Sequence, residues 1–140
     1  MGNGQYYGVD GVEYYEGDGT VITDSKGLSG KVVREIDDLD YHSSLPTWSK
    51  TSKIYFKRDD EGNHDIEQMR VFENRRVALD FDWNHTHGNF QIGIVHVHEW
   101  YQNENGKWTR SDNPRYMNDH ELDKYAEILL LASPGVKFRP

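Results

Sequence analysis

The chain of 140 residues contains no cysteine. Disulfides, thiolate metal sites and cysteine catalysis are therefore excluded, and the expected compartment is a reducing cytoplasm. No stretch approaches the roughly 20 consecutive apolar residues of a membrane helix. The opening MGNGQYYGVDG lacks the basic segment and apolar run of a secretory signal. Tyr6 stands where a myristoylation signal needs Ser or Thr. Net positive charge is lacking too, since 16 Lys and Arg face 24 Asp and Glu, leaving −8. Within residues 1–50 nine acids (Asp10, Glu13, Glu16, Asp18, Asp24, Glu35, Asp37, Asp38, Asp40) outnumber four bases (Lys26, Lys31, Arg34, Lys50). That half repels nucleic acid unless a metal or a local basic patch intervenes. It reads either as an ordinary solvated surface or as a face that docks on a basic protein partner.

Hydrophobic residues are sparse at 35%, but aromatics reach 13%. Tyr and Trp bury a large area per residue. The length suits one folded domain, 1–140.

The first segment repeats a tyrosine pair running into a glycine turn, YYGVDG at 6–11 and YYEGDG at 14–19. Asp-Gly favours tight turns, so short strands are expected near 12–16 and 20–23. Val32, Val33, Ile36 and Leu39 recur at helical spacing and predict a short amphipathic helix over 31–42. Beyond a loop at 43–52 the pattern becomes strands and turns. Strands are expected at 52–58, 65–72, 77–83, 90–104 and 107–110. Val77, Leu79, Phe81 and Trp83 alternate with Ala78, Asp80 and Asp82. Asn105-Gly106 marks a hairpin, with Glu104 and Lys107 as its flanking pair. Asn118 and Glu121 form a capping box before an apolar stripe of Leu122, Tyr125, Ala126, Leu129 and Leu130. Ser133-Pro134-Gly135 ends that helix. The expected fold class is α+β: an antiparallel meander of about five strands, with a short helix before it and a C-terminal helix.

Four of the seven histidines, His85, His87, His96 and His98, lie within fourteen positions. If 84–89 closes a hairpin, Asp82 falls opposite Gln91, Asp80 opposite Gly93 and Val77 opposite His96. Strand parity points His96 and His98 the same way, about 7 Å apart. His85 and His87 would lie some 25–30 Å away along straight strands, so a site using all four needs a bend. Three readings stay open. In the first, His96 and His98 bind zinc or a similar divalent transition metal, with His85, His87 or Asp82 as further ligands. In the second, which uses no metal, His96 or His98 is a general base partnered by Glu99 or His87, an arrangement suited to RNA cleavage. In the third, the histidines are structural and no cofactor is bound. Asp80 and Asp82 are read first as the solvated face of an amphipathic strand, and second as cation ligands.

The Asp80-Phe81-Asp82-Trp83 strand, the loop with His85, His87 and Gly88, and the His96-x-His98-x-Trp100 strand together resemble a domain near the C-termini of bacterial polymorphic toxins and phage-associated proteins. The resemblance spans about 50 residues, counted from Lys53 to Trp100. It implies a mobile-element or inter-microbial conflict setting, and nuclease activity.

Two function classes follow. One is a nuclease or phosphodiesterase built on the histidine hairpin, with Arg75, Arg76, Lys107 and Arg110 as candidate phosphate contacts; nucleic acid is a partner only under this reading. The other is an acidic inhibitor that presents carboxylates in place of phosphates to a nucleic-acid-binding enzyme, through Asp37, Asp38, Asp40, Tyr14 and Tyr15. Tyrosine is enriched at interfaces.

Overall fold

A computed structural model describes Asp10 and residues 14–36, 45–51, 53–59, 64–84 and 92–140. The described residues form a mostly antiparallel sheet with one C-terminal helix, an α+β arrangement dominated by sheet. The strands are β1 (Tyr15–Thr23), β2 (Ser29–Glu35), β3 (Ile54–Arg58), β4 (Ile66–Glu73), β5 (Arg76–Asp82), β6 (His96–Gln102) and β7 (Trp108–Arg110), followed by α1 (Asp119–Ala132). They lie side by side in chain order. Every pair is antiparallel except β2 and β3.

Among the described residues the strand count is therefore seven, not about five. The largest departure is at 29–35, expected to be largely helical and found as β2. Val32 and Val33 are both buried, one in each of the two apolar clusters. A strand flanked by β1 and β3 buries successive side chains on opposite faces, and β-branched valines suit that pleated setting. Those pairing partners are distant in sequence, so helical spacing misled. Residues 37–42, the rest of the expected helix, lie outside the described residues. The two short strands expected near 12–16 and 20–23 are instead one strand, β1, irregular between Gly17 and Val21.

One face of the sheet packs on α1. Phe56, Met69, Phe81, Val95 and Val97 meet Tyr125, Ile128 and Leu129 there, and the rings of Phe81 and Tyr125 lie 5.2 Å apart. Asn118 caps α1 with a full capping box. The buried stripe includes Ile128, while Leu130, expected inside, is 44% exposed. The other face carries a smaller cluster of Val33, Leu45, Tyr55, Phe72 and Val77, with Trp100 and Trp108 against it.

The register between β4 and β5 shifts between Val71 and Phe72, so Val71 pairs with Leu79 and Phe72 with Val77. Ala78 is the extra residue. Val77 thereby joins the smaller cluster, while Phe81 and Trp83 stay in the larger one. The strict alternation of 77–83 is broken by this bulge.

The 77–83 segment pairs antiparallel with the histidine strand, but in another register. Asp82 faces His96, Asp80 faces His98 and Leu79 faces Glu99. The strand starts at His96, since Gly93 has φ 90° and Ile94 bridges to Lys137 of the C-terminal tail. A left-handed glycine and a competing partner thus take the first half of 90–104 off β5. At the β6–β7 turn, Asn103 rather than Glu104 faces Lys107: the Asn103 N–H donates to the Lys107 carbonyl, the Lys107 N–H donates to Asn103 Oδ1, and Gly106 takes φ 78°.

Candidate metal centre

The face opposite α1 carries polar residues at the β4–β7 end. Arg70 of β4 pairs with Asp80 of β5, and Asp80 with His98 of β6; Asp82 pairs with His96. These side chains are all buried. Asp80 and Asp82 are therefore not a solvated strand face. Alternation does turn them away from Phe81 and α1, but a second layer covers that side as well. The backbone of Leu45 and Pro46 is part of it, where both carbonyls accept from Arg70.

Burying two carboxylates without counter-charge is very costly. Here Arg70 forms a fork on Asp80, with Nε at 2.6 Å from Oδ1 and Nη2 at 2.9 Å from Oδ2. Arg110 of β7 donates from Nε to Asp80 Oδ2 at 2.8 Å, and Trp100 Nε1 donates to the same oxygen at 3.1 Å. A terminal nitrogen of Arg110 also bonds Asp82 Oδ2. Two aspartates thus meet two arginines. The two carboxyls respond differently. Burial pushes Asp80 up, but attraction to Arg70, its hydrogen bonds and Arg110 outweigh this and hold it below the usual carboxylate range. Asp82 has fewer donors, and burial raises it to about 7 despite Arg110, with the Asp80 charge adding to the rise.

His96 and His98 are 0% and 1% exposed, and their rings meet edge-on with centroids 5.3 Å apart. Their Nε2 atoms lie 3.9 and 3.6 Å from Asp82 Oδ2. His98 Nδ1 lies 2.9 Å from the Ser111 carbonyl oxygen. A carbonyl only accepts, so Nδ1 carries the hydrogen, and Nε2 is the ring atom on the Asp82 side. Holding one ring nitrogen on a backbone carbonyl is how ligating histidines are commonly oriented. The ligand atoms of Asp82, His96 and His98 all lie within 4.8 Å of one another. Donors sharing a tetrahedral ion with bonds of about 2.0–2.1 Å are about 3.4 Å apart. A small contraction would bring this group to that spacing, and it can hold a metal.

Other expected site residues lie elsewhere. Glu99 points away from the two histidines, as alternation requires, and pairs with Arg115 at 3.0 Å. His85, His87, Asp37, Asp38 and Asp40 lie outside the described residues. Tyr14 is 57% exposed, whereas Tyr15 is half-buried against the smaller cluster. Arg75 and Lys107 are exposed in turns. Arg76 lies over the Trp108 ring at 4.4 Å. The part of Arg70 was not foreseen. Its only signal was a cation at an alternating position of the Met69–Phe72 strand, where an apolar residue would be usual. No helix among the described residues is long and apolar enough to cross a membrane.

No family model matches the chain, and no curated protein or solved structure matches it.

Proposed function

We propose that the protein holds a divalent transition ion, zinc or a similar metal, on Asp82, His96 and His98, and hydrolyses phosphodiesters there in a phage or mobile-element setting. The observation that carries this reading is the convergence of two imidazoles and one carboxylate within 4.8 Å at a place where the sheet buries all three. Two histidines and a carboxylate suit zinc or iron better than calcium or magnesium. The Ser111 carbonyl orients His98, and Asp82 brings the negative charge. The chemistry such an ion supplies is Lewis-acid polarisation of a phosphoryl oxygen. The resemblance to toxin and phage domains supports the nuclease class.

The test is the metal content of untagged protein together with hydrolysis of a chromogenic phosphodiester. About one ion per chain is expected, as for a single zinc centre. His96→Ala and His98→Ala should each lose both metal and hydrolysis. Hydrolysis that survives thorough chelation would point to proton transfer between the two imidazoles instead. Protein that neither takes zinc nor cleaves the diester would end the reading.

The net charge of −8 favours a second reading, an acidic inhibitor of a nucleic-acid-binding enzyme. Attraction between exposed charges weakens with salt. Charge reversal at Asp37, Asp38 and Asp40 should then slow association with a basic partner. Binding indifferent to both salt and reversal would remove this surface from consideration.

A further inference from the structure

Among the described residues of the buried charge cluster, Arg110 alone has substantial access to solvent. Its side chain is 35% exposed, against 7% for Arg70 and 0% for Asp80. It stands on β7, a three-residue strand that ends the sheet order. Its guanidinium bridges the two carboxylates, with Nε on Asp80 and a terminal nitrogen on Asp82. The Asp82 oxygen that takes this bond is Oδ2, the same atom that lies nearest the Nε2 atoms of both histidines.

Arg110 already occupies one lone-pair site of that oxygen, and an ion held with both histidines would draw on the same atom. Charge points the same way. With both carboxyls ionised, as a metal ligand requires of Asp82, Asp80 and Asp82 carry two negative charges, and Arg70 and Arg110 carry two positive ones. A divalent ion added beside both arginines leaves the buried group strongly positive, which a low-dielectric site disfavours. Withdrawal of the Arg110 terminus into solvent relieves this. Asp80 remains held by the Arg70 fork and by Trp100.

Resting on the metal reading above, we propose that Arg110 and the metal compete for Asp82 Oδ2, so that Arg110 is a displaceable internal cation that sets how tightly the site takes its ion. Metal entry moves the Arg110 terminus outward, and an Arg110 side chain free of Asp82 lies on the solvent side of the ion, where an anionic substrate would approach. The device makes metal loading and exposure of a cation a single event.

The experiment titrates Zn2+ and Co2+ into the full chain by calorimetry, comparing wild type with Arg110→Gln, Arg110→Lys and His96→Ala. Loss of the competing bond in Arg110→Gln should tighten binding by about ten- to hundredfold, the range corresponding to one charge-assisted hydrogen bond. Arg110→Lys should tighten it less, because an ammonium keeps the charge but not the fork. His96→Ala should lose binding in every background. Should Arg110→Gln fail to fold, the wild-type chain decides. The Arg110 guanidinium nitrogen resonances, restrained on the two carboxylates, should gain rotational freedom on saturation with Zn2+. His96-dependent binding with unchanged Arg110 resonances, or with equal or weaker affinity in a folded Arg110→Gln, overturns the competition and leaves the metal reading standing. Absence of binding in wild type and both Arg110 variants overturns both.

Discussion

Asp80 and Asp82 are two residues apart on one strand face, yet their surroundings give them different work. Asp80 receives the Arg70 fork, Arg110 and Trp100. Replacing it with Asn leaves two guanidiniums short of their counter-charge in a buried place, which costs about 3–5 kcal/mol. Asp82 is already driven toward its protonated form by burial, and an amide resembles that form. Asp82→Asn should therefore cost only about 1 kcal/mol, roughly one modest hydrogen bond. Urea midpoints at neutral pH should separate the variants in that order. Equal losses, or the reverse order, would contradict the division of labour. Asp82→Asn should nonetheless fail to take Zn2+, because the amide brings no negative charge to the ion.

The strand β2 shows how one small residue sets the spacing of an element. A Cβ built on Gly30 would lie 2.5 Å from Phe56 Cε2 and 2.6 Å from Ile54 Cγ2. Both are side chains of the core strand β3, buried against the helix-covered face. Neither can move without disturbing packing near crystal density. Gly30→Ala should thus destabilise by about 1–3 kcal/mol, the usual cost of overpacking, although alanine is ordinarily the better residue inside a strand. Gly17 in β1 is the control, since its nearest neighbour would be the Val32 carbonyl oxygen at an ordinary 3.7 Å. Thermal melts should show a lowered midpoint for Gly30→Ala and little change for Gly17→Ala. A neutral Gly30→Ala would mean that β2 and β3 are not packed as described.

At the scale of the whole molecule, Arg115 ties the helix to the sheet. Its backbone pairs with Val97, and its guanidinium holds Glu99 of β6 and both oxygens of Glu121 in the first turn of α1. Burial would raise the Glu121 carboxyl, but the hydrogen bonds from Arg115 and the Asn118 backbone outweigh it, and the net position is below the usual glutamate value of 4.5. A carboxyl depressed in the folded state stabilises above its unfolded value and loses that contribution as pH falls through the folded one. Glu121→Gln should therefore be less stable than wild type at neutral pH, by about 1–3 kcal/mol for a charge-assisted bond. The gap should close as pH drops below 4.5. Chemical denaturation of the two proteins across that range gives the comparison. A gap independent of pH would show that the ion pair carries none of the docking energy.

Local pattern alone determined much of this protein. The Asn118–Glu121 capping box was legible because its two partners are three residues apart. The shared direction of His96 and His98 followed from strand parity, and so did that of Asp80 and Asp82. The antiparallel pairing of 77–83 with the histidine strand was legible too. Tertiary structure decided the rest. Helical spacing at Val32, Val33 and Ile36 gave way to pairing with strands distant in the chain, because a strand's main stabilisation is its neighbours and those are not local. Register was decided by a left-handed Gly93 and by the Lys137 tail holding Ile94. That register brings His96 rather than Gln91 to Asp82. Whether two aspartates face water or a buried pair of arginines depends on what is layered above them, and no periodicity in β5 encodes that. Alternation says which side chains share a face; only packing says whether that face is dry, and a dry face is what makes its charges seek arginines and a metal.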